Sequence, residues 1–238
     1  MHALERTILV TGVSSGIGLA VAEQLLKYGH TVLGVARRAN QVLAKYPRFV
    51  PIVLDISQLD VLPQKIKELQ QAYPALDAVI FCAGKGQFGA IEQFSYEQID
   101  ALMTLNFTSQ VYLTKALLPD FKRKAQSDLI YIGSEAALKG SRNGALYCAS
   151  KFALRGFTQA LREDCGKSNV RVSLINPGMV KTPFFNELSF EPGDHQSNSI
   201  TAEDVAEAVI YVLNSPTKIV IDEINLSPLN KVVKFKKC

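Results

Sequence analysis

The feature that most constrains this chain is how it opens. A short β-branched run, Thr7-Ile8-Leu9-Val10, breaks into Thr11-Gly12-Val13-Ser14-Ser15-Gly16-Ile17-Gly18. A helical pattern follows at once, with Ile17, Ala20, Val21, Gln24, Leu25 and Tyr28 at helical spacing and Gly29 as its stop. A strand feeding a helix through a glycine turn begins a doubly wound α/β sheet. There the helix dipole and its free N–H groups bind phosphate. Gly12 permits the tight turn, Gly16 close approach to a pyrophosphate, and Gly18 close helix–strand packing. Ser14 and Ser15 add hydroxyl donors. The spacing is G-x-x-x-G-x-G, and a glycine turn by itself also occurs at junctions that bind nothing.

The rest of the chain repeats this alternation. Strands are predicted at 7–10, 31–36, 49–54, 78–82, 129–132, 170–175 and 219–226. Helices are predicted at 16–28, 62–72, 96–106, 108–125, 145–165 and 202–213. The expected fold is a Rossmann-like, doubly wound parallel sheet of about seven strands with helices on both faces. No Gly/Ser or Pro-rich linker divides the 238 residues, so one domain over 1–238 is expected. Pro183–Ser199 mixes phenylalanines with Pro192, Gly193 and Asp194, as a substrate-covering loop would.

The formal charge of +4 is modest, and much of the excess lies in Lys231, Lys234, Lys236 and Lys237. These read as a solvated basic tail. A nucleic-acid or lipid partner is not expected, because no aromatic interleaving or basic amphipathic helix supports one. The four cysteines lack C-x-x-C spacing, so no metal site is expected. The N-terminal residues lead into a strand without a signal-peptide pattern, and no apolar run approaches membrane-spanning length. A cytoplasmic protein is expected.

Chemistry concentrates at Tyr147-Cys148-Ala149-Ser150-Lys151. On a helix the Tyr and Lys share a face, and a neighbouring ammonium favours phenolate. That would make Tyr147 a usable proton donor near neutral pH. At the end of the second strand, Ala36-Arg37-Arg38 offers two guanidinium groups where an acidic residue would grip a ribose 2′-OH. Arginine binds phosphate with charge-assisted, bidentate bonds, so NADP(H) is preferred over NAD(H).

Together these segments resemble the short-chain dehydrogenase/reductase family in its single-domain form, from Thr7 to about Pro228. The resemblance implies that Thr11–Gly18 holds pyrophosphate and that Asp55, beside Ile56, bonds the adenine amino group. It implies that Ala83 and Gly84 leave room for the cofactor. Pro177, Gly178, Val180 and Thr182 match the segment that holds the nicotinamide carboxamide. Asn106, Ser134, Tyr147 and Lys151 would form the catalytic group, with Ser134 holding the substrate oxygen. Lys151 would reach the nicotinamide ribose, and Asn106 would bend its helix and hold a water for proton passage. The family's usual Asn-Asn-Ala-Gly reads Phe81-Cys82-Ala83-Gly84 here, and local repacking around Phe81 is expected. Within the family the chain is similar to bacterial 3-hydroxy acid (serine-type) dehydrogenases and carbonyl reductases. A homodimer or homotetramer is expected, through the helices at 108–125 and 145–165.

The implied reaction is NADP(H)-dependent interconversion of a carbonyl and an alcohol in a small molecule. A non-catalytic NADP(H)-binding sensor or scaffold on the same fold is the other reading. Lys85, Gln87, Phe88, Lys139, Arg142 and Lys181 are candidates for the substrate pocket, and His195 is a remoter one.

Overall fold

The computed structural model describes residues 5–236. The N-terminal Met1–Leu4 and the tail residues Lys237 and Cys238 lie outside them. The elements, in chain order, are β1 (Thr7–Thr11), α1 (Gly16–Lys27), β2 (Thr31–Ala36), β3 (Phe49–Val53) and α2 (Leu62–Ala72). Then follow β4 (Leu76–Phe81), α3 (Tyr96–Met103), α4 (Ser109–Phe121), β5 (Ser127–Ile132) and α5 (Ala145–Asp164). The last are β6 (Val170–Pro177), β7 (Phe190–Pro192), α6 (Ala202–Asn214), β8 (Glu223–Leu226) and β9 (Val233–Phe235).

Seven strands form one parallel sheet in the order β3-β2-β1-β4-β5-β6-β8. Two cores follow from alternation along these strands. Ile8, Val10, Ile80 and Ile130 face α1 and α6. Leu9, Val79, Leu129 and Tyr131 face α2, α4 and α5. Burial on both faces explains why the strands read as continuous apolar runs. Strand order reverses between β1 and β4, and in such sheets ligands sit beyond the strand ends at that point.

Some expectations are corrected. The last sheet strand starts at Glu223, not at 219. The two helices expected around Asn106 are α3 and α4 joined by a π-helical turn, Thr104–Thr108, which leaves no break in the helix. Leu113 and Leu117 of α4, which the sequence leaves open between a subunit interface and the core, are buried in the chain's own core. Phe157 of α5 packs edge-on against Tyr131 and Phe107. Phe81, where the resemblance leads one to expect asparagine, stacks on Tyr131 with centroids 4.3 Å apart. The Tyr131 hydroxyl pairs with Thr114 Oγ1 at 2.6 Å. An apolar stack thus replaces the amide bonds expected there.

The largest correction concerns the tail. Its described residues are largely exposed, as expected, but they are tied down: β9 pairs antiparallel with β7. Lys234 meets Asp194 at 2.8 Å, and Lys236 donates to the carbonyls of Phe185 and Asn186. Val233 and Phe235 alternate with Lys234 and Lys236, a strand period that the cluster of lysines obscures.

Candidate active site

The glycine turn shapes one end of a cleft at the strand-order reversal. Gly12 has φ +78°, and a Cβ there would lie 2.9 Å from the Ala83 backbone. The turns after β1 and β4 therefore touch, and Thr11 Oγ1 ties them by accepting the N–H groups of Cys82 and Ala83 at 3.1 Å each. A Cβ on Gly18 would meet the Gly12 carbonyl oxygen at 2.3 Å, so α1 packs directly onto the turn. Ser15 begins α1 without a side-chain cap, leaving the first helical N–H groups facing the cleft. These are features that suit a pyrophosphate.

The cleft has a volume of about 1540 Å³. That exceeds the roughly 300–1,000 Å³ of a single small-ligand pocket. Gly12, Ser14, Ser15, Gly16, Ile17 and Gly18 line its floor. Arg37, Asp55 and Ile56 line one end, and Ala83 and Gly84 the middle. Pro177, Gly178, Val180 and Thr182 form the facing wall. The Ser57 hydroxyl, which donates to Asp55 at 2.6 Å, holds the Asp55 carboxyl below its usual range, and the charge of the exposed Arg37 adds a smaller pull. Arg38 is exposed and lies outside the lining.

At the other end, α5 buries Tyr147 and Lys151 on one face, both 6% exposed. Burial pushes the Tyr147 phenol up to about 12, and the neighbouring Ser134 hydroxyl partly opposes this. Lys151 Nζ lies 5.9 Å from the centre of the Tyr147 ring and donates to the Ile132 carbonyl at 3.0 Å. Burial pushes Lys151 down to about 8. The expected lowering of Tyr147 by Lys151 is thus absent in the free protein, where desolvation dominates.

Asn106 is fully buried in the π turn just beneath the cleft. Its Oδ1 accepts from Lys85 N at 2.9 Å, and its Nδ2 donates to Lys85 O at 3.0 Å and Ser150 Oγ at 3.2 Å. It is therefore no helix cap; it pins the strand-end loop to α5. Its own carbonyl accepts from Gln110 Nε2 at 2.9 Å.

Ser134 is positioned by a residue to which sequence analysis assigned no role. Asn176, almost fully buried in β6, accepts from Ser134 N at 3.3 Å. It donates to Glu223 at 2.7 Å and Asn225 at 2.9 Å. A Cβ on Gly133 would sit 2.1 Å from Asn176 Oδ1, so a glycine before the serine is required. The adjacent Pro177-Gly178 drew attention; the asparagine before it was the available signal.

Of the pocket candidates, Lys85, Phe88, Lys139 and Arg142 line the cleft, whereas Gln87 and Lys181 do not. His195 points elsewhere, its Nδ1 pairing with Ser197 Oγ at 2.7 Å. The loop expected at 183–199 contains β7 and two 3₁₀ turns. Val233 and Phe235 of the tail complete its cleft wall. Lys231, also in the tail, meets Glu135 at 2.7 Å beside Ser134.

Comparison with known proteins fixes the class. Residues 6–192 match the profile described as short chain dehydrogenase, so this chain belongs to that family. It is an oxidoreductase acting on CH–OH groups with NAD(P) as acceptor. An uncharacterized oxidoreductase of Staphylococcus aureus strain MRSA252 is 30% identical, covering 94% of this chain and 98% of its own. The crystal structure of serine dehydrogenase from Escherichia coli is 26% identical, with a TM-score of 0.81 and coverage of 94% and 98%. A closed serine dehydrogenase complexed with NADP+ is 25% identical, with a TM-score of 0.83 and coverage of 94% and 95%. Among the described residues no helix is long and apolar enough to cross a membrane.

Proposed function

We propose that this protein is an NADP(H)-dependent reductase/dehydrogenase of small carbonyl and alcohol compounds, with Asn106, Ser134, Tyr147 and Lys151 as its working group. The carrying observation is the buried Tyr147, which lines with Ser134 the end of a cleft floored by the glycine turn. The bound nicotinamide supplies or accepts the hydride. Tyr147 gives its proton to the carbonyl oxygen in reduction and takes it back in oxidation. Ser134 donates a hydrogen bond to the same oxygen, and the Lys151 ammonium steadies the phenolate left behind. Asn106 fixes the Lys85 loop against α5 and holds a water that carries protons inward. Acid–base catalysis of this kind contributes about 10²–10⁴ in rate.

The preference for NADP(H) rests on Arg37, an exposed guanidinium lining the cleft beside Asp55. Complexes of similar proteins with NADP+ support it. A cytoplasmic homodimer or homotetramer is part of the same reading.

The test is NADPH oxidation over aldehydes, ketones and 3-oxo acids, with Tyr147→Phe as control. Wild-type turnover with a loss of about 10²–10⁴ in the variant is expected. Equal turnover by both removes Tyr147 as the acid. NADPH binding without turnover favours the non-catalytic reading. Arg37→Glu should weaken NADPH by about tenfold or more, the loss of a charged hydrogen bond, and spare NADH; unchanged NADPH affinity would overturn the coenzyme preference.

A further inference from the structure

The substrate end of the cleft carries a hydrophobic cluster of its own, separate from the two sheet cores. Met179, Phe185 and Leu188 are buried there, with Phe88, Phe184 and Phe190 packed on them and half-exposed to the cleft. The rings surround Tyr147. Phe88 lies 5.0 Å from the Tyr147 ring by centroid, and Phe184 lies 5.9 Å away. Phe190 meets Phe88 edge-on at 4.9 Å. Phe184 is held by close packing, since a Cβ on Gly86 would lie 2.3 Å from its ring.

The charged groups near this cage are differently placed. Glu135 is spent on Lys231. Lys85, Lys139, Arg142 and Glu187 are exposed, so their charges stay in water, where a pairing gains little. Lys151 is buried and engaged with the Ile132 carbonyl. Whatever binds with its reacting oxygen at Tyr147 and Ser134 thus places its substituents against aromatic rings, not against a fixed cation.

We infer that the substrate is a neutral carbonyl compound, or its alcohol, bearing an aryl or comparably bulky apolar group, with Phe88, Phe184 and Phe190 as specificity determinants. This rests on the reductase reading above. It also separates this pocket from one built for a small hydroxy acid, which would need a buried cation for the carboxylate. Edge-on and tilted rings of this kind favour an aromatic guest.

The test is calorimetric titration of ketones into protein saturated with NADP+, where a ketone binds but cannot be reduced. Acetophenone should bind about tenfold tighter than acetoacetate. Phe184→Ala should weaken acetophenone about tenfold, an aromatic pairing converted to affinity, and Phe184→Leu by less. Each variant should keep its NADP+ affinity, which shows that it is folded. Tighter binding of acetoacetate, or unchanged acetophenone affinity in a folded Phe184→Ala, would overturn the inference. Absence of NADP+ binding would count against the coenzyme reading instead. Acetophenone binding to the coenzyme-free protein, weakened by Phe184→Ala, would then still support the cage.

Discussion

Two buried cations at opposite ends of the sheet behave in opposite ways. Lys151, at the carboxyl end, and Arg171, near the amino end of β6, are almost equally hidden, 6% and 4% exposed. Arg171 Nε meets Asp128 Oδ1 at 2.7 Å, across the β5–β6 pairing. Its other nitrogens donate to Ser215 and to the Leu213 carbonyl. Asp128 Oδ2 also holds Arg6 at 2.7 Å, and Arg6 in turn reaches Asp77 at 3.1 Å. Among the described residues Lys151 has no carboxylate partner; its contacts are a carbonyl and the face of an aromatic ring. Burial alone therefore does not mark function. A hidden charge with a full set of partners ties strands together. A hidden charge without a counter-ion gives up its proton easily, and that is the property a proton-handling site uses.

The largest effect should come from breaking the paired end. Asp128→Ala leaves Arg171 and Arg6 facing each other without their shared anion. Losing one partner of a buried pair costs about 3–5 kcal/mol. Urea unfolding should show that loss, while NADPH affinity stays within about twofold, well under 1 kcal/mol. A loss confined to coenzyme affinity would mean the two ends are not separate.

The unpaired end should respond with the reverse sign. Lys151 titrates at about 8 when folded, against an ordinary value of 10.5. Below pH 8 both folded and unfolded chains carry the charge, and the burial penalty is present in full. Between pH 8 and 10.5 the unfolded chain binds more protons, so stability rises with pH, by about 3 kcal/mol in all. Lys151→Met removes the penalty and also a hydrogen bond worth about 1 kcal/mol. The variant should be about 2 kcal/mol more stable than wild type at pH 7, inactive, and progressively less advantaged as pH rises to 10.5. A stability gap that stays constant across that range would show that Lys151 is not strained in the fold.

This contrast was only half legible in the amino-acid sequence. The β-branched runs, the glycine turn and the Tyr147–Lys151 spacing are local patterns, and they mark the sheet and the cleft directly. The ion chain Arg171–Asp128–Arg6–Asp77 draws on three strands and the residue preceding a fourth, so no spacing along the chain announces it. The Tyr147 phenol was misjudged for a related reason. Helical spacing shows that Lys151 is near, but the desolvation that outweighs it comes from the elements packed around α5. Net charge shows that the tail is solvated, but it says nothing of the backbone pairing of β9 with β7 that fixes Val233 and Phe235 at the cleft rim.

The smallest effect tests whether geometry alone makes an ion pair matter. Lys231 and Glu135 also lie 2.7 Å apart, as close as Arg171 and Asp128. Their side chains are 52% and 29% exposed, against 5% and 1%. Water screens the rim pair, and holding a long lysine side chain in place costs entropy. Lys231→Ala should therefore change stability by less than about 1 kcal/mol. Raising salt to about 1 M should mimic it in wild type, since the screening length falls to about 3 Å. If Lys231→Ala instead cost as much as Asp128→Ala, distance and not burial would govern both pairs. The tail would then be a structural tie to the Ser134 turn, where it now reads as a wall resting on it.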